Sequence, residues 1–282
     1  MRQIDCLITG ASGFLGSHIS DMLYKNPKTF LGVGRRTLKR KNYEVLDLSV
    51  EQDVLQFKKK YIFDTIIHCA ASVPKQPKEY NKQVKAKNTI ITSNTLKLDF
   101  NNIINISSIA VYGNNAFGRI LEDAAICIDS NYADSKIESE SIIKSGANNK
   151  RFINIRLPGL FGKTREQGLI YRLIVNALKN KVVPIKDLNA WSCMSVDDAA
   201  TLITENAPWL LQSKMTTLNF GYSQDISPRI LQNIIYRILK SERHNSIDYE
   251  KTMRVCTLSN KLRKLTETLS LPISLNEYID DI

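Results

Sequence analysis

The chain has 282 residues, 43% of them hydrophobic, and a formal charge of +11 at pH 7. This length suits one large domain, or a large domain with a smaller one built onto it, and the apolar fraction excludes a disordered chain. No apolar run approaches the ~20 residues of a bilayer span. The Lys and Arg residues are scattered, with only short clusters at Lys39-Arg40-Lys41 and Lys58-Lys59-Lys60, so neither membrane nor nucleic acid is an expected partner.

In chain order, Ile4 to Thr9 reads as a buried strand, followed by glycine punctuation and a helix through about Tyr24. The strand begins almost at once, leaving no room for a signal peptide. The five cysteines (Cys6, Cys69, Cys127, Cys193 and Cys256) have neither paired nor metal-like spacing. Free thiols, no metal and a cytoplasmic location are therefore expected. Phe30 to Val33 and Tyr43 to Leu46 are the second and third strands. Ser49 and Gln52 match a capping box, which predicts a helix from Ser49. Asp64 to Cys69 is the fourth strand, Glu79 to Leu98 a polar helix, and Ile103 to Ile106 the fifth strand. A helix over Tyr132 to Ser145 leads to the sixth strand, Phe152 to Leu157. Each parallel connection needs a crossover, so this alternation predicts an α/β fold, a doubly wound parallel sheet. Beyond Pro158 the rhythm weakens, and a smaller C-terminal α/β lobe is expected.

The segment Thr9-Gly10-Ala11-Ser12-Gly13-Phe14-Leu15-Gly16 joins the first strand to the first helix. Gly10 can take the tight turn, Gly13 lets a pyrophosphate approach the backbone, and Gly16 lets the helix pack closely on the sheet. The helix start offers N–H groups and a positive dipole end to phosphate. In this strand–turn–helix context a dinucleotide cradle is the stronger reading and a structural glycine turn the weaker; His18, inside the helix, reads as structural. A site for NAD normally places an acid ~20 residues beyond the glycines. Here that position holds Gly34-Arg35-Arg36, and a guanidinium suits a ribose phosphate. NADP(H) is therefore favoured over NAD(H), against the alternative of two surface arginines. Asp47, with Leu48 beside it, either accepts from the adenine amine or helps cap the following helix.

Tyr132 and Lys136 lie four residues apart on one helix face. A phenol with an unperturbed pKa near ~10 is a poor proton donor at neutral pH, and a neighbouring cation favours its phenolate. Such a pair can give a proton to a carbonyl oxygen while hydride moves at the adjacent carbon. Ser107 and Ser108 end the fifth strand, where an open α/β sheet presents its ligand-binding edge. Ser108 can hydrogen-bond the reacting oxygen.

These residues resemble the extended short-chain dehydrogenase/reductase family, in particular its NAD-dependent epimerase/dehydratase group. The resemblance spans almost the whole chain. Its carriers are Thr9 to Gly16, Ile67 to Ala71, Asn88, Ser107 to Gly113, Tyr132 with Lys136, Arg156 to Gly162, and Val196-Asp197-Asp198-Ala199. It implies a Rossmann domain over residues 1–165, rejoined at about 191–223, and a substrate lobe from 166–190 and 224–282. It implies a catalytic triad of Ser108, Tyr132 and Lys136, with Lys136 also holding the nicotinamide ribose. It further implies that Ala70 and Ala71 flank the cofactor and that Asn88 supports Lys136 through the helix backbone. Pro158, Gly159, Leu160 and Phe161 would line nicotinamide and substrate, Asp197 and Asp198 would cap a helix or hold the lobes together, and the chain would be a homodimer.

Departures from the family pattern narrow the reaction. Ile109 and Ala110 stand where 4,6-dehydratases carry an Asp–Glu pair, and Ile109 also replaces the cysteine of 3,5-epimerising reductases. Trp191 stands where many members have an arginine, which suggests aromatic stacking on the substrate or a packed core residue. Three readings remain. The first is an NADPH-dependent reductase of a nucleotide-linked keto-deoxysugar, and the second an NAD-dependent sugar-nucleotide 4-epimerase. The third, a non-catalytic NADP-binding regulator, is disfavoured by the intact triad.

Overall fold

Alternating β-branched runs and helices assemble into a seven-stranded sheet in the computed structural model, which describes residues 1–25, 29–74, 79–113, 118–181, 184, 192–212, 216–222, 228–239, 255–256 and 271–282. The strands are β1 (Arg2–Thr9), β2 (Phe30–Gly34), β3 (Tyr43–Val45), β4 (Tyr61–His68), β5 (Phe100–Ser108), β7 (Arg151–Leu157) and β10 (Thr217–Asn219). The short strand β6 (Gly118–Arg119) lies outside this sheet, as do β8 (Gly159–Phe161) and β9 (Cys193–Ser195). The sheet order is β10-β7-β5-β4-β1-β2-β3. β1 runs parallel to both β2 and β4, with Thr9 beside Val33 on one side and His68 on the other. The order therefore reverses at β1, and in an open α/β sheet the crevice at such a switch point is the ligand site.

The connecting helices are α1 (Phe14–Leu23), α2 (Glu51–Lys58), α3 (Lys82–Thr95) and α4 (Asn131–Gly146). Their inward faces close over Leu7, Val33, Phe63, Ile66 and Ile103, all buried. The strand ends are held in place by this packing, because burial of each such side chain is worth about 1.5–3 kcal/mol. The doubly wound α/β architecture expected from the alternation is present.

Two helix starts differ from expectation. α2 begins at Glu51 behind Val50, which makes no side-chain cap. Ser49 does not cap it: its hydroxyl and N–H both donate to Asp47 Oδ1, at 2.7 and 2.9 Å. A carboxylate two residues upstream outcompetes the helix for that serine. α3 starts at Lys82 rather than Glu79, because Asn81 caps it by accepting from the Val84 N–H at 3.0 Å.

The chain divides into two units, Met1–Gly113 with Ile126–Arg156 and Ala200–Leu218, and Asn114–Ala125 with Leu157–Ala199 and Asn219–Ile282. The second holds the parallel pair β8 with β9, and β6 with β11 (Val255–Cys256). It also contains α5 (Leu169–Leu178), the start of α6 (Val196–Gln212), α7 (Pro228–Leu239) and α8 (Leu271–Asp280). Asp198, in the first turn of α6, accepts from the Tyr222 hydroxyl and, at 2.7 Å, from Ser274. Cys69, Cys127 and Cys193 are free thiols, while the Cys256 side chain is outside the described residues. Among the described residues no helix is long and apolar enough to cross a membrane.

Candidate functional site

The glycine turn follows β1 directly. Gly10 has φ +70°, and a Cβ there would come within 2.9 Å of the Ala70 backbone. Only glycine fits both that conformation and that approach. Gly13 donates its N–H to the Gly10 carbonyl at 2.8 Å and heads α1 with no side-chain cap. A Cβ on Gly16 would sit 2.3 Å from the same carbonyl oxygen, so α1 lies directly on the turn. The N–H groups of the first helical turn, which have no acceptor earlier in the helix, belong here to Phe14, Leu15 and Gly16. An uncapped helix start on a glycine turn is the donor set a pyrophosphate requires.

A cleft of about 250 Å³ opens at this turn. Of the residues expected at a cofactor, Gly10, Ser12, Gly13, Arg35, Arg36, Asp47, Leu48, Ala70 and Ala71 line it. Phe14, Leu15 and Gly16 are not among its lining residues. Leu15 is buried, and Phe14 packs edge-on against His18 at 5.3 Å. Gly34, Leu46, Cys69 and Ile91 complete the wall. The Cys69 thiol is no anion there: burial pushes it up to about 12, against the opposing pull of Lys136.

Arg35 and Arg36 follow β2 and are exposed. Tyr43 pins their backbone by donating its hydroxyl to the Arg36 carbonyl at 2.6 Å. Burial raises the Asp47 carboxyl, but the two Ser49 hydrogen bonds and the charges of Lys87 and Arg35 outweigh it and hold the group below 3.8. Both Ser49 bonds fall on Oδ1. Leu48 is fixed through its carbonyl, which accepts from Asn94 Nδ2 at 2.9 Å.

Ala70 and Ala71 line a second, water-sized cavity of about 10 Å³ together with Lys136, Ser135, Asn88 and His68. The lysine is thereby placed beside one end of the cleft. Its Nζ donates to the Ile106 carbonyl of β5 at 3.0 Å. Tyr132, one helical turn earlier, is half-buried, with its ring edge-on to Tyr80 at 5.2 Å and 81°. Ser108 ends β5, buried, its Oγ accepting from the Ala110 N–H at 3.2 Å at the start of the 3₁₀ turn Ile109–Tyr112. Asn88 lines the same small cavity as Lys136. It accepts from the Ser72 N–H at 2.6 Å and donates to Tyr80 at 2.6 Å and Ser135 at 3.1 Å, tying the loop after β4 to α4.

Ser107 is not among the residues lining the cleft. Its hydroxyl donates to Glu140, which also accepts from Arg156 Nε at 3.0 Å and Nη2 at 2.7 Å. Arg156 Nη1 reaches the Tyr112 hydroxyl at 2.7 Å. This buried network joins β5, β7, α4 and the 3₁₀ turn behind Ser108. The sequence reading missed it. The available signal was helical phase, since Tyr132, Lys136 and Glu140 repeat every four residues on one face.

His68 anchors the opposite side of the cavity. Its Nδ1 pairs with Thr9 Oγ1 at 2.8 Å and its Nε2 with Thr92 Oγ1 at 3.3 Å. Thr9 Oγ1 in turn accepts from the Ala70 N–H at 3.2 Å. Burial, reinforced by the Lys136 charge, pushes the imidazole down from 6.5 to about 3. The unfolded chain then takes up a proton below 6.5 that the folded chain refuses until about 3, so acid favours unfolding across that window. Between about pH 7 and pH 5 the expected loss is roughly 2 kcal/mol of stability. Urea unfolding at both values checks this, and His68→Asn should remove that part of the slope.

Pro158, Gly159, Leu160 and Phe161 belong to the second unit, where Gly159 pairs with Cys193 and Phe161 with Ser195. Trp191 lies outside the described residues.

A family model described as the NAD dependent epimerase/dehydratase family matches residues 6–207. No curated protein matches the chain. The fold is similar to that of UDP-glucose 4-epimerase from Thermotoga maritima, solved with UDP-glucose, at 17% identity and TM-score 0.80, over 99% of this chain and 98% of that one. UDP-glucuronic acid 4-epimerase from Bacillus cereus, solved with UDP-glucuronic acid and NAD, is similar at 20% identity and TM-score 0.77, over 99% and 98%. dTDP-glucose 4,6-dehydratase from Bacillus anthracis, solved with NAD, is similar at 18% and 0.76, over 98% and 96%.

Proposed function

The chain belongs to the NAD dependent epimerase/dehydratase family, and from that membership we propose that it is an NADPH-dependent reductase of the keto group of a nucleotide-linked deoxysugar. One observation carries the reading: the wall of the glycine-turn cleft at the end of β2 is made by Gly34, Arg35 and Arg36, with no acid among them. A carboxylate there would repel a ribose phosphate; two guanidinium groups attract it. Relatives in fold are solved with nucleotide sugars, which supports that substrate class. Ile109 and Ala110, in place of an acid–base pair, speak against dehydration.

In this reading the first unit is the dinucleotide domain and the second the substrate lobe, to which Pro158, Gly159 and Leu160 contribute. Gly10, Gly13 and the start of α1 take the pyrophosphate, Arg35 and Arg36 the ribose phosphate, and Asp47 the adenine amine. Ala70 and Ala71 flank the cofactor. Bound NADPH supplies the hydride. Tyr132 delivers a proton to the carbonyl oxygen, Ser108 donates a hydrogen bond to that oxygen, and Lys136 holds the nicotinamide ribose and places positive charge near the phenol. Carbonyl, hydride and proton together give the alcohol.

Screening nucleotide-4-ketosugars with NADPH, followed by loss of nicotinamide absorbance, tests the activity. A second reading, 4-epimerisation with retained NAD, is favoured by the 4-epimerases of similar fold. Tightly co-purified NAD with no net NADPH consumption would establish it instead. For the cofactor, replacing Arg35 and Arg36 together by Ala should weaken NADPH by at least about 100-fold, the low end for two contacts worth roughly 1.5–3 kcal/mol each, and leave NADH unchanged. Fluorescence titration reads both constants, and equal weakening of the two would remove the arginines from phosphate recognition.

A further inference from the structure

α3 carries a third cation, Lys87, outside the cleft wall itself but on the helix face that meets it. α3 turns Ile91 into the cleft wall and ties itself to the Asp47–Leu48 segment through Asn94. Lys87 lies four residues before Ile91, on the same helix face and one turn nearer the α3 start. Its charge reaches Asp47, as does that of Arg35. The carboxylate therefore lies within the fields of two cations, one from the segment after β2 and one from α3. Among the described residues Lys87 forms no ion pair, whereas Lys85, two positions earlier, is held by Asp134 at 2.7 Å.

Arg35, Arg36 and Lys87 set against Asp47 leave a surplus of two positive charges. Ribose hydroxyls would gain little from such a surplus. A phosphomonoester, carrying about −1.5 to −2 at neutral pH, matches it.

We propose that Lys87 is a specificity residue for the ribose phosphate of NADPH, reaching it from the α3 side while Arg35 and Arg36 hold it from the β2 side. The proposal rests on the NADPH reading above. Lys87 is half-buried on a helix surface, so its replacement leaves the core intact.

NADPH and NADH titrations of the full chain, read by nicotinamide fluorescence, test it with Lys87→Ala and Lys87→Arg. The parent should prefer NADPH. Lys87→Ala should weaken NADPH by roughly tenfold, the lower range for one charged contact, and leave NADH unchanged, while Lys87→Arg keeps the preference. If Lys87→Ala retains the full preference, or weakens both cofactors alike, the role of Lys87 is overturned and Arg35 with Arg36 stand alone. A parent that binds NADH as tightly as NADPH overturns both this role and the NADPH reading.

Discussion

Replacing Tyr132 by Phe is expected to lower turnover of a nucleotide ketosugar by about 10²–10⁴-fold, the usual worth of a positioned general acid, while NADPH still binds. The change removes one oxygen. The ring that packs edge-on against Tyr80 at 5.2 Å remains, as do the glycine turn and the Lys136 bond to Ile106 at 3.0 Å. Steady-state rates and a cofactor titration on the same preparation separate the two effects. A variant as active as its parent would return the chain to a dinucleotide-binding role without catalysis.

Replacing Glu140 by Ala should be the most damaging single change to stability away from the cleft. The Glu140 and Arg156 side chains are 10% and 7% exposed and meet at 2.7 Å. Removing the carboxylate leaves a guanidinium buried without its counter-charge, and breaking such a pair costs about 3–5 kcal/mol. The Ser107 hydroxyl loses its acceptor as well. Urea unfolding measures the loss. A decrease below about 1 kcal/mol would mean that water or a neighbouring group takes over, and the network would not be what fixes the end of β5.

The parts of the site built from consecutive residues were legible in the sequence. Thr9 to Gly16 can be read because each glycine meets a backbone constraint within one turn: Gly10 through its φ of +70°, and Gly16 through the 2.3 Å approach to the Gly10 carbonyl. Tyr132 and Lys136 can be read because helical spacing alone puts them on one face. What escaped depends on partners distant in the chain. Ser49 looks like a helix cap until Asp47 takes both of its donors. Ser107 looks like a second cleft serine until Glu140, 33 residues on, draws its hydroxyl inward. Lys87 is one polar residue in a polar helix, and only the packing of Ile91 and Asn94 shows which way its face turns.

The most direct measurement is the fate of a deuterium label carried on the reactive carbon of NADPH. With a nucleotide-4-ketosugar as acceptor, the label is predicted on the new carbinol carbon, with one oxidised cofactor formed per alcohol. A ketosugar left unreduced with the label still on the cofactor, while the matching 4-hydroxy nucleotide sugar is converted to its C4 epimer with retained NAD, would contradict net reduction by this chain.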